Sequence, residues 1–91
     1  MYVRKPTRAF KKSLKRIAYS GDNEIQTEIE RIIEILVRGQ QLDKKNQDHP
    51  LIGELKGYRE CHIKPDILLI YHTKGDSLIL DEIGSHSQLF R

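Results

Sequence analysis

The chain has 91 residues, a length that supports one small hydrophobic core and excludes a deep cavity beside it, so a functional site should be a shallow groove. A single cysteine excludes an internal disulfide and fits a reducing, cytoplasmic compartment. No apolar run approaches the ~18 residues of a membrane span, and the charged N-terminus lacks the apolar segment of a signal peptide. We therefore expect one cytoplasmic domain, residues 1–91, without membrane contact.

Basic residues exceed acidic residues by three, sixteen Lys and Arg against thirteen Asp and Glu, and they are concentrated near the N-terminus. Seven cations and no acidic residue form a basic stripe: Arg4, Lys5, Arg8, Lys11, Lys12, Lys15 and Arg16. Such a stripe fits a polyanionic partner, because cation–phosphate contacts supply salt-dependent affinity, although a solvated helix face gives the same pattern. We expect the stripe to face outward, with Lys11 and Lys15 among the contacts to such a polyanion.

The first half of the chain predicts one strand and two helices. Met1 to Lys5 can form a short strand, and Pro6 and Thr7 then begin a helix whose apolar residues recur at helical spacing. Ser20 to Asn23 breaks that helix, and the next one carries an apolar stripe that ends before Gly39. Both stripes are interpreted as core-facing.

The second half predicts a polar connection followed by strands. Three strands are expected: Leu55–Ile63, Ile67–Tyr71 and Ser77–Ile83, followed by a tail from Gly84 to Arg91. The element order is β-α-α-β-β-β, which predicts an α+β domain with an antiparallel meander and both helices covering one face of the sheet.

Three histidines lie in short polar segments near the predicted strand ends: His49, His62 and His86, with Asp66 four residues after His62. Imidazole both accepts and releases a proton near neutral pH. Metal-free RNA cleavage needs such groups, one to deprotonate the ribose 2′-OH and another to protonate the leaving 5′ oxygen. The fourth histidine, His72, follows a strand at a hairpin end and is interpreted as solvated; Cys61 is interpreted as a small core residue.

Five short motifs follow one another along the chain: His49–Leu51, Lys56–His62, Pro65–Asp66, Leu68–Tyr71 and Gly84–Phe90. Together they closely resemble the YafQ-type branch of the RelE/ParE toxin superfamily of bacterial type II toxin-antitoxin systems. The resemblance covers the chain from about residue 2 to its end. It implies a RelE-like fold, a small twisted antiparallel sheet with two N-terminal helices on one face, and endoribonuclease cleavage of mRNA, typically on the translating ribosome.

The resemblance also implies functional residues. His49, His62, Asp66 and His86 match catalytic positions of the family, and Phe90 matches a functional C-terminal aromatic. Chemically, Asp66 could orient an imidazole, and His86 is the best proton-transfer group.

Two basic residues of the Lys56–His62 segment could hold phosphate. Lys56 and Arg59 are the candidates, and strand alternation predicts that Lys56, rather than Arg59, shares the groove with His62. Phe90 could stack on a base.

Two positions depart from the family pattern. Ile67 stands where an aromatic is often found after the Pro-Asp pair, and Glu82 stands where Arg is often found, so we expect its carboxylate to repel phosphate. Glu82 keeps open the alternative of a weak relative that acts mainly as antitoxin partner and corepressor. A ParE-like inhibitor that binds DNA gyrase without catalysis is the other alternative within the superfamily, and the histidines argue against it.

The expected partners follow from the resemblance and the charge. They are a cognate antitoxin with an acidic binding segment, mRNA and the ribosome, and operator DNA when the antitoxin is bound. No cofactor is predicted. No metal site is predicted either, because the sequence has no His-x-x-x-His, no paired Cys and no Cys/His pair at zinc spacing.

Overall fold

Five strands form one mixed sheet in the order β1-β5-β4-β3-β2 in the computed structural model, which describes residues 1–90. The strands are β1 (Val3–Pro6), β2 (His49–Pro50), β3 (Arg59–Lys64), β4 (Ile67–Lys74) and β5 (Ser77–Gly84). β1 runs parallel to β5, and every other neighbouring pair is antiparallel. The α+β prediction and the antiparallel meander of the last three strands are confirmed, whereas the antiparallel prediction was wrong for β1. A strand of only four residues carries no signal for its direction of pairing.

Two helices, α1 (Arg8–Tyr19) and α2 (Asn23–Val37), cover one face of this sheet. Each begins at a side-chain cap: Thr7 Oγ1 accepts from the Phe10 amide at 3.0 Å, and Asp22 Oδ1 accepts from the Ile25 amide at 3.1 Å. Their apolar stripes join alternate strand residues in the main core, which includes Ile32, Cys61, Leu69 and Ile83. Both helices and their core-facing stripes were predicted correctly.

A β-bulge interrupts β5 where it pairs with β4. Ile70 is paired with Glu82 while Tyr71 is paired with Leu80, so Asp81 is an additional residue on β5. Leu80 and Ile83, three residues apart, consequently both lie in the main core. The bulge therefore changes the directions in which the side chains of Asp81 and Glu82, the two residues between them, point.

The connection into β3 differs from the predicted strand. Gly53–Leu55 is a single 3-10 turn, and β3 begins only at Arg59. Gly53 (φ +69°) and Gly57 (φ +101°) occupy left-handed backbone conformations that an extended strand cannot contain. The segment therefore folds as turns, although its side chains alternate in polarity.

The predicted tail contains one helical turn, α3 (His86–Leu89). Ser85 and Gln88 form a capping box, in which the Ser85 side chain accepts from the Gln88 amide and the Gln88 side chain accepts from the Ser85 amide. The Ser-x-x-Gln pattern was visible in the sequence as a helix-start signal. Arg91 lies outside the described residues.

Within residues 1–90, the structure has no helix with both the length and the apolar character required to cross a bilayer.

Candidate active site

The face of the sheet opposite α1 and α2, called here the open face, carries most of the chemically active side chains. Strand alternation directs Cys61 and Leu69 into the main core, so Glu60, His62 and His72 point to the other side. His49 is paired with Glu60 across β2 and β3 and therefore shares this face. The open face thus collects three of the four histidines from separate elements.

His49 is held by a buried carboxylate. Its Nε2 lies 2.9 Å from Oε2 of Glu60, and its Nδ1 lies 3.2 Å from the Pro50 carbonyl oxygen. The Glu60 residue is only 7 % exposed, whereas the His49 side chain is 47 % exposed. Since both ring nitrogens face acceptors, a protonated imidazole can donate to each. Glu60 was missed at the sequence level, where its spacing of two from His62 on the same strand was the available signal.

His62 lies in a row of residues that crosses the sheet. His62 is paired with Leu68, and Leu68 is paired with Gly84, so His62 and Gly84 are separated by about 10 Å at two strand spacings. Asp66 is exposed in the turn between β3 and β4, at this same end of the sheet. His86 follows Gly84 by two residues. The chain therefore brings His62, Asp66 and α3 to one end of the open face.

Gly84 allows α3 to lie against the open face. A Cβ at this position would lie 2.7 Å from Gln88 Oε1 and 3.4 Å from a Leu89 methyl group. His86 projects from α3 as an exposed residue, and its ring centroid lies 5.0 Å from that of the partly buried Phe90, with an interplanar angle of 39°. Phe90 therefore provides a surface against which the His86 ring rests.

Arg59 lies on the helix side of the sheet, away from His62. It is paired with the core residue Tyr71, and its Nε donates to Oδ1 of Asp48 at 3.1 Å. The Tyr71 hydroxyl donates to the same oxygen at 2.7 Å, and burial raises the pKa of Tyr71 above its ordinary value. Both bonds fix the backbone immediately before His49. Arg59 thus positions the His49 segment from behind the sheet.

Lys56 is exposed in the turn that precedes β3. The alternation used to assign it to the groove does not apply, because the strand does not extend back to this residue.

The basic stripe is partly neutralised. Arg4 forms ion pairs with Glu30 (2.6 Å) and Glu34 (3.1 Å) of α2, so the expectation of seven outward cations was wrong for this residue. The other six residues are exposed, including Lys11 and Lys15. Because α1 covers the helix side of the sheet, its five cations lie on the side opposite the histidines. Lys5 lies on β1 next to Arg4, so strand alternation points it the other way.

Glu82 does not point freely into the site. Its Oε1 accepts from Ser13 Oγ of α1 at 2.7 Å and from the Ile83 amide at 3.0 Å. These two bonds hold the carboxylate toward α1. Cys61 is fully buried, and burial raises the pKa of its thiol, so the core interpretation is confirmed.

His72 is not solvated, and that interpretation was wrong. Its side chain is 23 % exposed, and its Nδ1 lies 2.7 Å from Oδ2 of Asp81. Its ring meets Tyr58 edge to face, with centroids 4.8 Å apart and planes at 71°. Burial raises the pKa of Asp81, and the hydrogen bond with His72 opposes that effect. The sequence could not show this pair, because the bulge sets the direction of Asp81.

Among residues 1–90, no group of three or more His, Cys, Asp or Glu side chains is arranged to hold a metal ion.

A family model described as "Bacterial toxin of type II toxin-antitoxin system, YafQ" matches residues 2–91. The chain belongs to this family of type II toxin-antitoxin toxins.

Similar solved structures agree with the family assignment. A copper-bound mutant toxin from Helicobacter pylori superposes with a TM-score of 0.90 at 40% identity, covering 99% of this chain and 100% of that one. YafQ from Escherichia coli BL21(DE3) gives 0.89 at 25% identity over 100% of both chains. YafQ in the E. coli DinJ–YafQ complex gives 0.89 at 26% identity, again covering 100% of both.

Two curated relatives align over shorter stretches. The mRNA interferase toxin YafQ of E. coli K12 is 46% identical over 44 residues, 48% of each chain. The putative toxin YafQ of Haemophilus influenzae is 45% identical over 51 residues, 52% of this chain and 50% of that protein. The chain spans about half the length of the curated relatives it matches.

Proposed function

We propose that this toxin is a metal-independent endoribonuclease that cleaves mRNA, with the translating ribosome as the place of cleavage. The observation that carries the proposal is the open face, where His49 and its buried partner Glu60 share one surface with His62, and His86 stands at its end. A protein that only binds a target needs no such set of proton-transfer groups. The name of the E. coli relative, an mRNA interferase toxin, is consistent with this chemistry.

The reaction that fits these groups is attack by the ribose 2′-OH on the adjacent phosphorus. A general base removes the 2′-OH proton as the new P–O bond forms. The P–O5′ bond breaks, and a general acid returns a proton to the 5′ oxygen. The products are a 2′,3′-cyclic phosphate and a 5′-OH, and the pentacoordinate phosphate formed on the way needs a nearby positive charge.

The geometry suggests different tasks for the histidines. Both nitrogens of His49 face acceptors, so two contacts fix the direction of the ring, and we assign it the supply of positive charge or of the proton for the leaving oxygen. His86 is exposed at the end of the open face and can approach a bound ribose, so we assign it one of the two proton transfers. His62 and Asp66 lie at the same end and complete the proposed catalytic set. Phe90, beside His86, would stack on a base of the bound strand.

This mechanism predicts the chemical nature of the cleaved ends. Isolated RNA cut by the purified protein should carry 2′,3′-cyclic or 3′ phosphate and 5′-OH ends, and cutting should persist in EDTA because no step uses a metal. End-specific ligation and phosphatase treatment of the products would identify them. Fragments that carry 5′ phosphates, or an absolute need for a divalent ion during cleavage of isolated RNA, would contradict the mechanism.

A cognate antitoxin is the proposed protein partner, as DinJ is for E. coli YafQ in their complex. The exposed cations of α1 lie on the side opposite the open face, so they can contact ribosomal RNA, or an acidic antitoxin segment, while the open face holds mRNA. Lys56, exposed at the edge of the sheet, can contact phosphate on the way to the site. The proposed substrates place the activity in the cytoplasm.

The double substitution Lys11→Glu with Lys15→Glu tests the basic stripe. It should weaken ribosome association and reduce the slope of log affinity against log salt by about two, because two phosphate contacts are lost. The fold should survive, since exposed helix charges usually change stability by less than ~0.5 kcal/mol. Co-sedimentation with ribosomes across a salt series measures both effects.

A matched control reverses two other exposed cations, Lys44→Glu with Lys74→Glu, and makes the same change in net charge. Equal changes in slope for the two double variants would show that ribosome association responds to net charge alone. An unchanged slope for Lys11→Glu with Lys15→Glu would show that the stripe is a solvated face.

A further inference from the structure

A second cluster on the open face lies outside the proposed catalytic set. It consists of His72, Asp81 and Tyr58, joined by the 2.7 Å hydrogen bond between His72 and Asp81 and by the edge-to-face packing of the two rings. The side chains of His72 and Asp81 are 23 % and 18 % exposed. The imidazole is thus fixed from two sides and still reaches the surface.

The hydrogen bond determines what the exposed side of the ring can recognise. An ionised carboxylate only accepts hydrogen bonds, so in the neutral ring the proton lies on Nδ1, between His72 and Asp81. Nε2 is then left as an acceptor. Because the β-bulge places Asp81 at this position, the ring tautomer is set by the backbone of β5 rather than by solvent.

His72 lies away from His62 and His86 along the open face. His72 lies four residues along β4 from Leu68, the partner of His62, which corresponds to about 13 Å at ~3.3 Å per residue. An RNA strand that presents its scissile phosphate to His62 and His86 would bring a flanking nucleotide to His72. The cluster is therefore suited to binding a base rather than to proton transfer in the reaction.

We propose that His72 is a specificity-determining residue whose Nε2 accepts a hydrogen bond from the exocyclic amino group of a flanking adenine or cytosine, with Tyr58 and Asp81 fixing the ring. Guanine and uracil carry a keto oxygen at the corresponding position and offer only an acceptor there. This inference rests on the proposed ribonuclease activity. One neutral hydrogen bond should give roughly a five- to tenfold preference for the amino-bearing base.

Inosine provides the test, because it replaces the 6-amino group of adenosine by a keto oxygen. RNAs with single adenosine-to-inosine replacements on either side of the mapped cleavage site would be cut by the wild-type protein and by variants. At one flanking position, inosine should slow the wild type roughly five- to tenfold. His72→Phe keeps a ring without the acceptor and should lose this preference while it still cuts.

Two further variants show whether a lost inosine preference comes from the ring of His72 or from a general disturbance of the structure. Asp81→Asn keeps the imidazole but permits either tautomer, because an amide both donates and accepts, so the preference should also be lost. Thr73→Ala changes the neighbouring exposed residue and should keep it. Identical inosine profiles for wild type and His72→Phe would overturn the inference while leaving the ribonuclease in place. A wild-type protein that cuts none of these RNAs, even when purified ribosomes translate them, would overturn the proposed function as well.

Discussion

His86→Ala is expected to lower the rate of RNA cleavage by about 10²- to 10⁴-fold, the usual contribution of a general acid or base, and to abolish most toxicity. His86 is exposed on α3 and its ring rests against Phe90, so the fold and the binding of the antitoxin should survive its truncation. Growth assays at matched expression measure toxicity, and co-purification with the antitoxin measures binding.

Ser87→Ala is a suitable control, because Ser87 is exposed on the same helical turn and takes no part in the proposed chemistry. It should remain as toxic as the wild type. Equal toxicity of wild type and His86→Ala would refute the role assigned to His86. Loss of antitoxin binding in His86→Ala would show that the substitution disturbs α3 itself.

Glu60→Gln is expected to reduce cleavage at least about tenfold through its effect on His49, because a neutral amide replaces the negative charge that lies 2.9 Å from His49 Nε2. Glu60 is a positioning residue, since it reaches the substrate only through His49 at 2.9 Å. The amide keeps the size of the side chain and one acceptor oxygen. The free energy of unfolding should therefore change by less than about 1.5 kcal/mol.

Two comparisons separate positioning from simple stabilisation. Glu60→Asp retains a carboxylate and should recover part of the activity that Glu60→Gln loses, whereas the exposed Glu54→Gln should behave as wild type. Single-turnover cleavage rates, together with denaturant unfolding of each variant, provide the data. If activity follows stability across the three variants, without regard to the carboxylate, the interaction of Glu60 with His49 has no role in the chemistry.

Much of the fold was accessible from the sequence because it depends on periodic burial. The apolar residues of α1 and α2, and the continuous apolar run that begins at Ile67, need no partner to be recognised as core. The direction of β1 and the two-residue β2 could not be predicted, because short edge strands are defined by the neighbours they meet. Residues 55–58, which form turns before β3, were predicted as the start of that strand, although Gly57 was visible as a possible break.

In the candidate site, too, some residues could be recognised from the sequence and others could not. His49, His62 and His86 stood out by residue type and by their motifs, and the structure brings His49 and His62 to one face with α3 at its end. Their carboxylate partners were not foreseen. Glu60 depends on the register between β2 and β3, and Asp81 depends on a bulge, and neither is encoded by local pattern.

Primer-extension mapping of cellular transcripts, after brief expression of the wild-type chain without its antitoxin, tests the central claim most directly. If the protein cleaves mRNA, discrete new 5′ ends should appear within translated mRNA soon after induction, and they should be absent when His86→Ala is expressed to the same level. Growth arrest with intact transcripts would contradict it, because the protein would then act by binding a target rather than by cutting RNA.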